Sequence, residues 1–584
     1  MKHKLLTLLI LPVVALTSVG CSKYRPSEEK AISVYNLDKL DDSLSGCKAG
    51  EVKARFIKNQ GYVPYLTLKQ YASLYDSHYA DNVYTSVSKK GDAVSWTVMV
   101  DNSIYFMSQI DFANKEVVTA GSLEAAYKVD DDPRDTASLS YGNLTEYSSE
   151  LLGTSYFSHY SFANQEIDYF SYMGDYYLPL SFYDMTYCFD TSIYFFYNYK
   201  AIYSSVSVDN FYEKEFDKNG AKYCVITEMM SKVSDSTAPQ YVIDLNSNLF
   251  LYLLDNFYGL KDYKKLGSAE QYCRNIGTYD SLFVANATTR SQAYAETLDR
   301  LDDNHTALVA GSFAWGGQTF VQRQYGTGCI NRSNLRETLI STRKSSTPSS
   351  YYSGSSPMIS SDGKTALYVF DSFIYGATED VFNKDGSIKS TAKEYDSYFN
   401  LLDLFTQLQK TGTVENVVLD MTTNGGGVLG VLMKLLALIS KNNLGNLYYL
   451  EAASKQVGIA TTMVDSDNNG SYNALDCFGD DFNIYLLTSD CSFSCGNAFP
   501  CLAQIQGSAK IIGQKSGGGE CAVAIHYLPN GEYVYHSSNL HLGYYNADTK
   551  VFTGFENGAQ PDIEISNYND FYNVDRLSSY IQNA

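Results

Sequence analysis

Clusters of basic residues are missing from this chain of 584 residues, whose 44 Lys and Arg are scattered against 65 Asp and Glu for a formal charge of -21. Phosphate neutralisation needs grouped cationic side chains, so the composition argues against nucleic-acid binding and disfavours attachment to anionic lipid. Metal-type spacing is scarce as well. No Cys-x-x-Cys pair occurs and the seven His are scattered without ligand spacing, which argues against a structural zinc site. What is present is ample: 45% hydrophobic and 19% charged residues can bury real cores, and the length implies two or three domains. The aromatics are dominated by 52 Tyr against 2 Trp.

Residues 1–20 read as an export signal. Lys2 and Lys4 precede an apolar run from Leu5 to Val19 that is too short for a comfortable membrane span. Cys21, directly after Ser18-Val19-Gly20 and before a polar tether over 21–30, resembles the lipobox cysteine of bacterial lipoproteins. That resemblance implies lipidation at Cys21, membrane attachment through the N-terminal lipid alone, and a place in the bacterial cell envelope. Ten further cysteines follow, an even count that permits disulfides, with Cys491, Cys501 and Cys521 placed to lock one region.

Residues 31–247 carry short runs alternating in period two, such as Val94 to Val100 and Ser192 to Tyr199, and read as a β-rich N-terminal domain. Their tyrosines suit half-buried strand surfaces, with a stacking platform for a ligand as the alternative. Residues 248–340 read as a helical part, with helix-like spacing over Ser291–Leu301, and Ser341–Gly363 as a Ser/Thr/Gly-rich linker. Residues 364–570 then alternate strands and helices. The strands are read at 366–370, 414–420 and 482–488, the helices at 393–410, 428–440 and 496–506, and the pattern implies an α/β core with a mostly parallel sheet.

Three segments of the second half carry chemistry. The glycine turn Asp420-Met421-Thr422-Thr423-Asn424-Gly425-Gly426-Gly427 joins a strand to a helix, where close backbone approach suits a phosphate cradle or an oxyanion hole. No Gly-Lys-Ser/Thr follows it, which disfavours the cradle. Ser494 lies on a strand-to-helix turn, a position where amides can meet an oxyanion. His305 follows the acidic turn Asp302-Asp303-Asn304.

Together these segments resemble the C-terminal processing (tail-specific) serine protease family. The glycine turn is similar to its Asp-Leu-Arg-Gly-Asn-Gly-Gly signature, with Thr422 in place of Arg. Ile511 to Gly519 and Glu556 to Ile565 are similar to its later elements. The resemblance covers roughly residues 250–570 and implies a crotonase-like protease core. Of the family's two catalytic arrangements, the Ser-Lys dyad is absent because Gly519 stands where the Lys would be, and Lys515 is a poor substitute. The tricorn-like branch instead implies Ser494 as nucleophile, His305 as base, Glu556 as the orienting carboxylate, and the amides of Gly426 and Cys495 as the oxyanion hole. The expected function is an exported serine endopeptidase acting on protein or peptide substrates, without cofactor or metal. A catalytically silent binding lipoprotein on the same scaffold is the alternative, and a Cys495 nucleophile is the minor variant. The interval between His305 and Ala366 is short for a PDZ module.

Overall fold

The computed structural model describes residues 25–37, 47–123, 126–127, 144–152, 157–212, 216–218, 221–312, 314–316 and 321–584, so the export segment and Cys21 lie outside the described residues. The chain divides into two compact units, one of residues 1–132 and 159–225, the other of 133–158 and 226–584. The boundary read at 247/248 falls inside helix α1 (Gln240–Asn256), buried without a break from Leu245 to Leu254, and the helix-like spacing read at 291–301 belongs to helix α2 (Ala287–Asp299). Among the described residues no helix is long and apolar enough to cross a membrane.

The first unit is β-rich, as its alternating runs imply. Gln60–Leu66, Cys47–Ile57 and Pro26–Asn36 sit at the centre of a seven-stranded sheet, and Val83–Lys90, Ala93–Val100, Ser103–Asp111 and Glu116–Gly121 form most of a five-stranded one. Along Ala93–Val100 every second residue is buried, which turns Trp96 inward. Four tyrosines from neighbouring helical turns pack around it rather than forming an exposed platform. Tyr71 stacks on Tyr183 at 4.9 Å, while Tyr75 and Tyr187 lie 5.4 and 5.6 Å from the Trp96 ring. All five rings are fully buried. Burial of a phenol needs a partner for its hydroxyl: Tyr71 Oη and Tyr75 Oη are 2.9 Å apart, and Tyr75 Oη donates to Thr191 Oγ1 at 3.2 Å. Tyr71→Phe removes one link of this chain and is expected to cost about 1 kcal/mol in urea unfolding. A change within error would mean that the hydroxyl chain adds nothing to stability.

In the second unit two sheets meet different needs. Strands β1 (Thr145–Leu152), β2 (Ala307–Ala310), β6 (Gly445–Glu451), β7 (Gln456–Val464), β10 (Cys521–Tyr527), β11 (Tyr533–Asn546) and β12 (Val551–Gly554) form an antiparallel sheet. Strand β1 comes from the stretch read as N-terminal domain and pairs with β7 over its whole length, from Thr145 opposite Val464 to Leu152 opposite Val457. The other sheet runs in the order β3 (Met358–Ile359), β4 (Thr365–Val369), β5 (Asn416–Asp420), β8 (Asn483–Thr488), β9 (Lys510–Gly513) and β13 (Ile563–Glu564). Only its β3/β4 edge is antiparallel; the other four pairings are parallel.

Parallel strands are covered on both faces and so read as continuous apolar runs. Val417 and Leu419 of β5 face one core, with α4 (Ser397–Thr411), α5 (Leu429–Ile439) and α6 (Cys495–Ile505), while Val418 faces the other. That second core includes Leu339 of α3 (Thr327–Ser346), so residues 341–346 of the expected linker are helix. Val369, Asp420 and Leu487 stand in register at the strand ends, so the loops after β4, β5 and β8 converge at one edge.

Candidate active site

That edge brings the glycine turn after β5 against the turn between β8 and α6. Ser492 Oγ donates to Met421 O at 2.7 Å, Ser489 Oγ to Thr422 O at 2.6 Å, and Phe493 N to Asn424 O at 3.0 Å. Held this way, the chain reverses at Ser494, which caps α6 with φ 59° and ψ -127° and no side-chain cap bond. Such a left-handed conformation costs a non-glycine residue on the order of 1–3 kcal/mol and persists only where surroundings over-determine it. Here Ser494 N donates to Gly518 O at 3.0 Å while its carbonyl accepts from Asn497 and Ala498. The hydroxyl is left half-exposed at the helix N-terminus, hydrogen-bonded to no described residue.

Gly426 has φ 106°, and a Cβ there would lie 2.7 Å from Ser494 Cβ and 3.0 Å from the Cys495 nitrogen. Only glycine permits that approach. The amide of Cys495 donates to no other described residue and points from the helix start, whereas the Gly426 amide donates to Asn424 Oδ1 at 2.9 Å. Of the two expected oxyanion donors, one is therefore open and one engaged. The Cys495 thiol is turned away onto Gly427 O at 3.2 Å, and burial pushes it up to about 12, which leaves it unreactive as a nucleophile.

His305 is buried beside this turn. Asp303 fixes its backbone, accepting from His305 N at 3.0 Å, from Thr306 Oγ1 at 2.6 Å and from Ser537 Oγ at 2.8 Å. The ring meets Phe493, the residue before Ser494, edge-on at 4.7 Å. Its Nδ1 is buried without a partner, and no hydrogen bond joins the ring to Ser494. Burial holds the imidazole below its usual value, Asp303 pulls it back up and Arg332 adds to the lowering.

Glu556 does not contact the imidazole through a hydrogen bond. Its Oε2 accepts from the amides of Gly519 and Glu520, each at 3.0 Å, in the strap whose Gly518 carbonyl takes the Ser494 amide. Burial raises its carboxyl to about 7, and the charges of Asp303 and Glu520 push the same way. Lys515 is exposed. The disulfide lock is overturned among the described residues: Cys491, Cys501 and Cys521 are all free thiols.

Two arginines complete the site without any sequence signal. Arg332 donates to Asp490 O and Gly517 O, each at 2.8 Å, and covers the Phe493 ring at 4.8 Å, clamping both loops around Ser494. Arg343 of α3 is fully buried beneath the glycine turn. Its guanidinium donates to Thr423 Oγ1 at 2.8 Å, to Thr422 Oγ1 at 3.3 Å and bidentately to Asp371, and pairs with Asp420 at 3.1 Å. A guanidinium from a distant helix thus occupies the surroundings of Thr422, where the resembling signature carries its own Arg.

The fold and this turn define an α/β protein with a strained serine at a helix N-terminus. Residues 386–565, within the second unit, match the model of Peptidase family S41, so this part of the unit is an S41 peptidase-like core. Among solved structures, a candidate peptidase from Parabacteroides merdae ATCC 43184 is similar at 16% identity, TM-score 0.40, over 58% of this chain and 96% of that one. A candidate S41 protease from Bacteroides fragilis NCTC 9343 is 18% identical over 39% of this chain and 56% of that one, TM-score 0.27. A lipoprotein from Streptococcus agalactiae is 12% identical over 58% and 95%, TM-score 0.33. No curated protein matches the chain.

Proposed function

We propose that the protein is an exported serine endopeptidase, lipid-anchored through Cys21 at the bacterial cell envelope, with Ser494 as nucleophile and His305 as base. The observation that carries this reading is Ser494 itself: a serine held at φ 59° on a helix N-terminus, against Gly426 and beside the unbonded Cys495 amide. Serine has negligible alkoxide at neutral pH, so a neutral imidazole must take its proton as Oγ attacks the peptide carbonyl carbon. The Cys495 amide, joined by that of Gly426 once it leaves Asn424, stabilises the oxyanion. His305 then passes the proton to the departing amine, and water releases the acyl group by the reverse sequence. Glu556 orients the imidazole after the ring turns from Phe493 toward Ser494.

The absence of a His305–Ser494 hydrogen bond in this conformation favours the second reading, a silent binding scaffold. Labelling by a fluorophosphonate separates the two. Attachment mapped to Ser494 and lost in His305→Ala supports the peptidase; well-folded protein that takes up no label supports the binder. The labelling rate also carries a pH signature. Because burial holds His305 below 6.5, the base is neutral at pH 7 and the rate is level from there upward. It falls on acidification, through a midpoint below 6.5. A rate still climbing above pH 9 would point to a lysine base and count against His305.

A further inference from the structure

A second cluster of reactive side chains lies on the antiparallel sheet, and the peptidase reading leaves it without a role. The β10/β11 pairing sets Cys521 directly opposite His541, and Glu520 precedes Cys521 in the chain. Glu520 Oε1 lies 2.7 Å from His541 Nδ1, and Cys521 Sγ lies 3.7 Å from the same nitrogen. One donor atom from each of the three falls within 4.8 Å of the others.

The direction of these contacts decides between two chemistries. In a nucleophile-base-carboxylate relay the thiol and the carboxylate use opposite ring nitrogens, so that one orients and the other receives the proton. Here both face Nδ1. The other nitrogen, Nε2, is buried without a partner, which directs the ring's bonding through Nδ1 alone. Three donors that converge on one point suit an ion rather than a proton relay. The surroundings are anionic: Glu520, Glu556 and Asp303 all bear electrostatically on the Cys521 thiol. Glu520 and Cys521 are 7% and 2% exposed, so the donors sit in a place where water competes weakly.

We propose that Glu520, Cys521 and His541 form a site for a divalent zinc ion. Thiolate, imidazole and carboxylate are the donors zinc takes, and three protein ligands leave a fourth position for water. A tetrahedral ion with bonds of about 2.0–2.3 Å holds its donors roughly 3.5 Å apart. The cluster reaches that spacing by a small outward turn of Glu520 from His541. The thiol gives up its proton to solvent on binding. None of its three ligands is a proposed catalytic residue, and the site adjoins the peptidase reading through Glu520, whose Oε2 accepts from the Glu556 amide at 2.7 Å and whose own amide donates to Glu556 Oε2 at 3.0 Å.

The test uses the full chain, stripped of metal by chelation and dialysis. One equivalent of zinc is expected by calorimetry, and cobalt(II) in its place is expected to give a thiolate-to-metal charge-transfer band. Cys521→Ser should abolish that band, and His541→Ala and Glu520→Gln should each weaken zinc binding at least about 10-fold with the circular dichroism spectrum unchanged. If the variants misfold, X-ray absorption of the zinc-loaded wild type still decides, with one sulfur expected among the ligands. Failure of the wild type to retain zinc, a coordination shell without sulfur, or binding unaltered in folded variants would each overturn the site.

Discussion

Replacing Ser494 with Ala is expected to lower kcat/KM for a fluorogenic peptide by about 10⁴–10⁶, with little change in the unfolding midpoint. The side chain makes no structural hydrogen bond, so its removal deletes chemistry and spares packing. His305→Ala is expected to cost a comparable factor, and the double variant little more than either alone, because nucleophile and base act as a unit. What survives in each is the contribution of the oxyanion amides and substrate binding. Two results would sink the assignment. Activity retained in Ser494→Ala but lost to a thiol reagent would transfer the nucleophile to a cysteine, against the buried and diverted Cys495 thiol. Losses that multiply in the double variant would mean that His305 acts elsewhere. A partial loss in Glu556→Gln, with its strap bonds still accepted by the amide oxygen, would be the mark of an orienting group.

The peptidase core was largely legible in the sequence for a physical reason. Strands buried on both faces, such as Val417-Val418-Leu419, need an unbroken apolar run, and helices α4, α5 and α6 follow each at the expected spacing. The turn at Ser494 was legible from its place between an apolar strand and a helix start, not from Ser-Cys-Gly itself, since most such serines only cap helices. Other features escaped because they depend on pairings that sequence order does not encode. Strand β1 lies in a stretch that looks like the N-terminal domain yet completes the edge of β7. The Ser/Thr-rich residues 341–346 resemble a linker but continue α3, whose Leu339 and Arg343 are anchored in the second unit's core. The tyrosines read as half-buried decoration of strands, whereas the structure buries Tyr71, Tyr75, Tyr183 and Tyr187 completely around Trp96. Scattered His and Cys argued against zinc, but twenty residues apart on a hairpin places Cys521 and His541 face to face.

Arg343 carries the second large effect, and it is one of stability. The glycine turn begins at Asp420, a fully buried carboxylate that accepts from Tyr351 Oη at 2.8 Å and Thr422 Oγ1 at 2.6 Å. Those bonds satisfy lone pairs but leave the charge unmatched; Arg343 supplies the opposite charge at 3.1 Å. Asp371 is 46% exposed and water can compensate it, so Asp420 decides the outcome. Arg343→Met is therefore expected to lower the stability of the second unit by about 3–5 kcal/mol in urea unfolding, the cost of an uncompensated buried charge. Arg343→Lys should recover part of the loss, because an ammonium still opposes the Asp420 charge but cannot also meet Asp371 bidentately and reach Thr423. Pairing Arg343→Met with Asp420→Asn should return part of the loss, since it removes the stranded charge itself. A loss below about 1 kcal/mol in Arg343→Met would mean that Asp420 is neutralised by other means and that the guanidinium does not hold the turn.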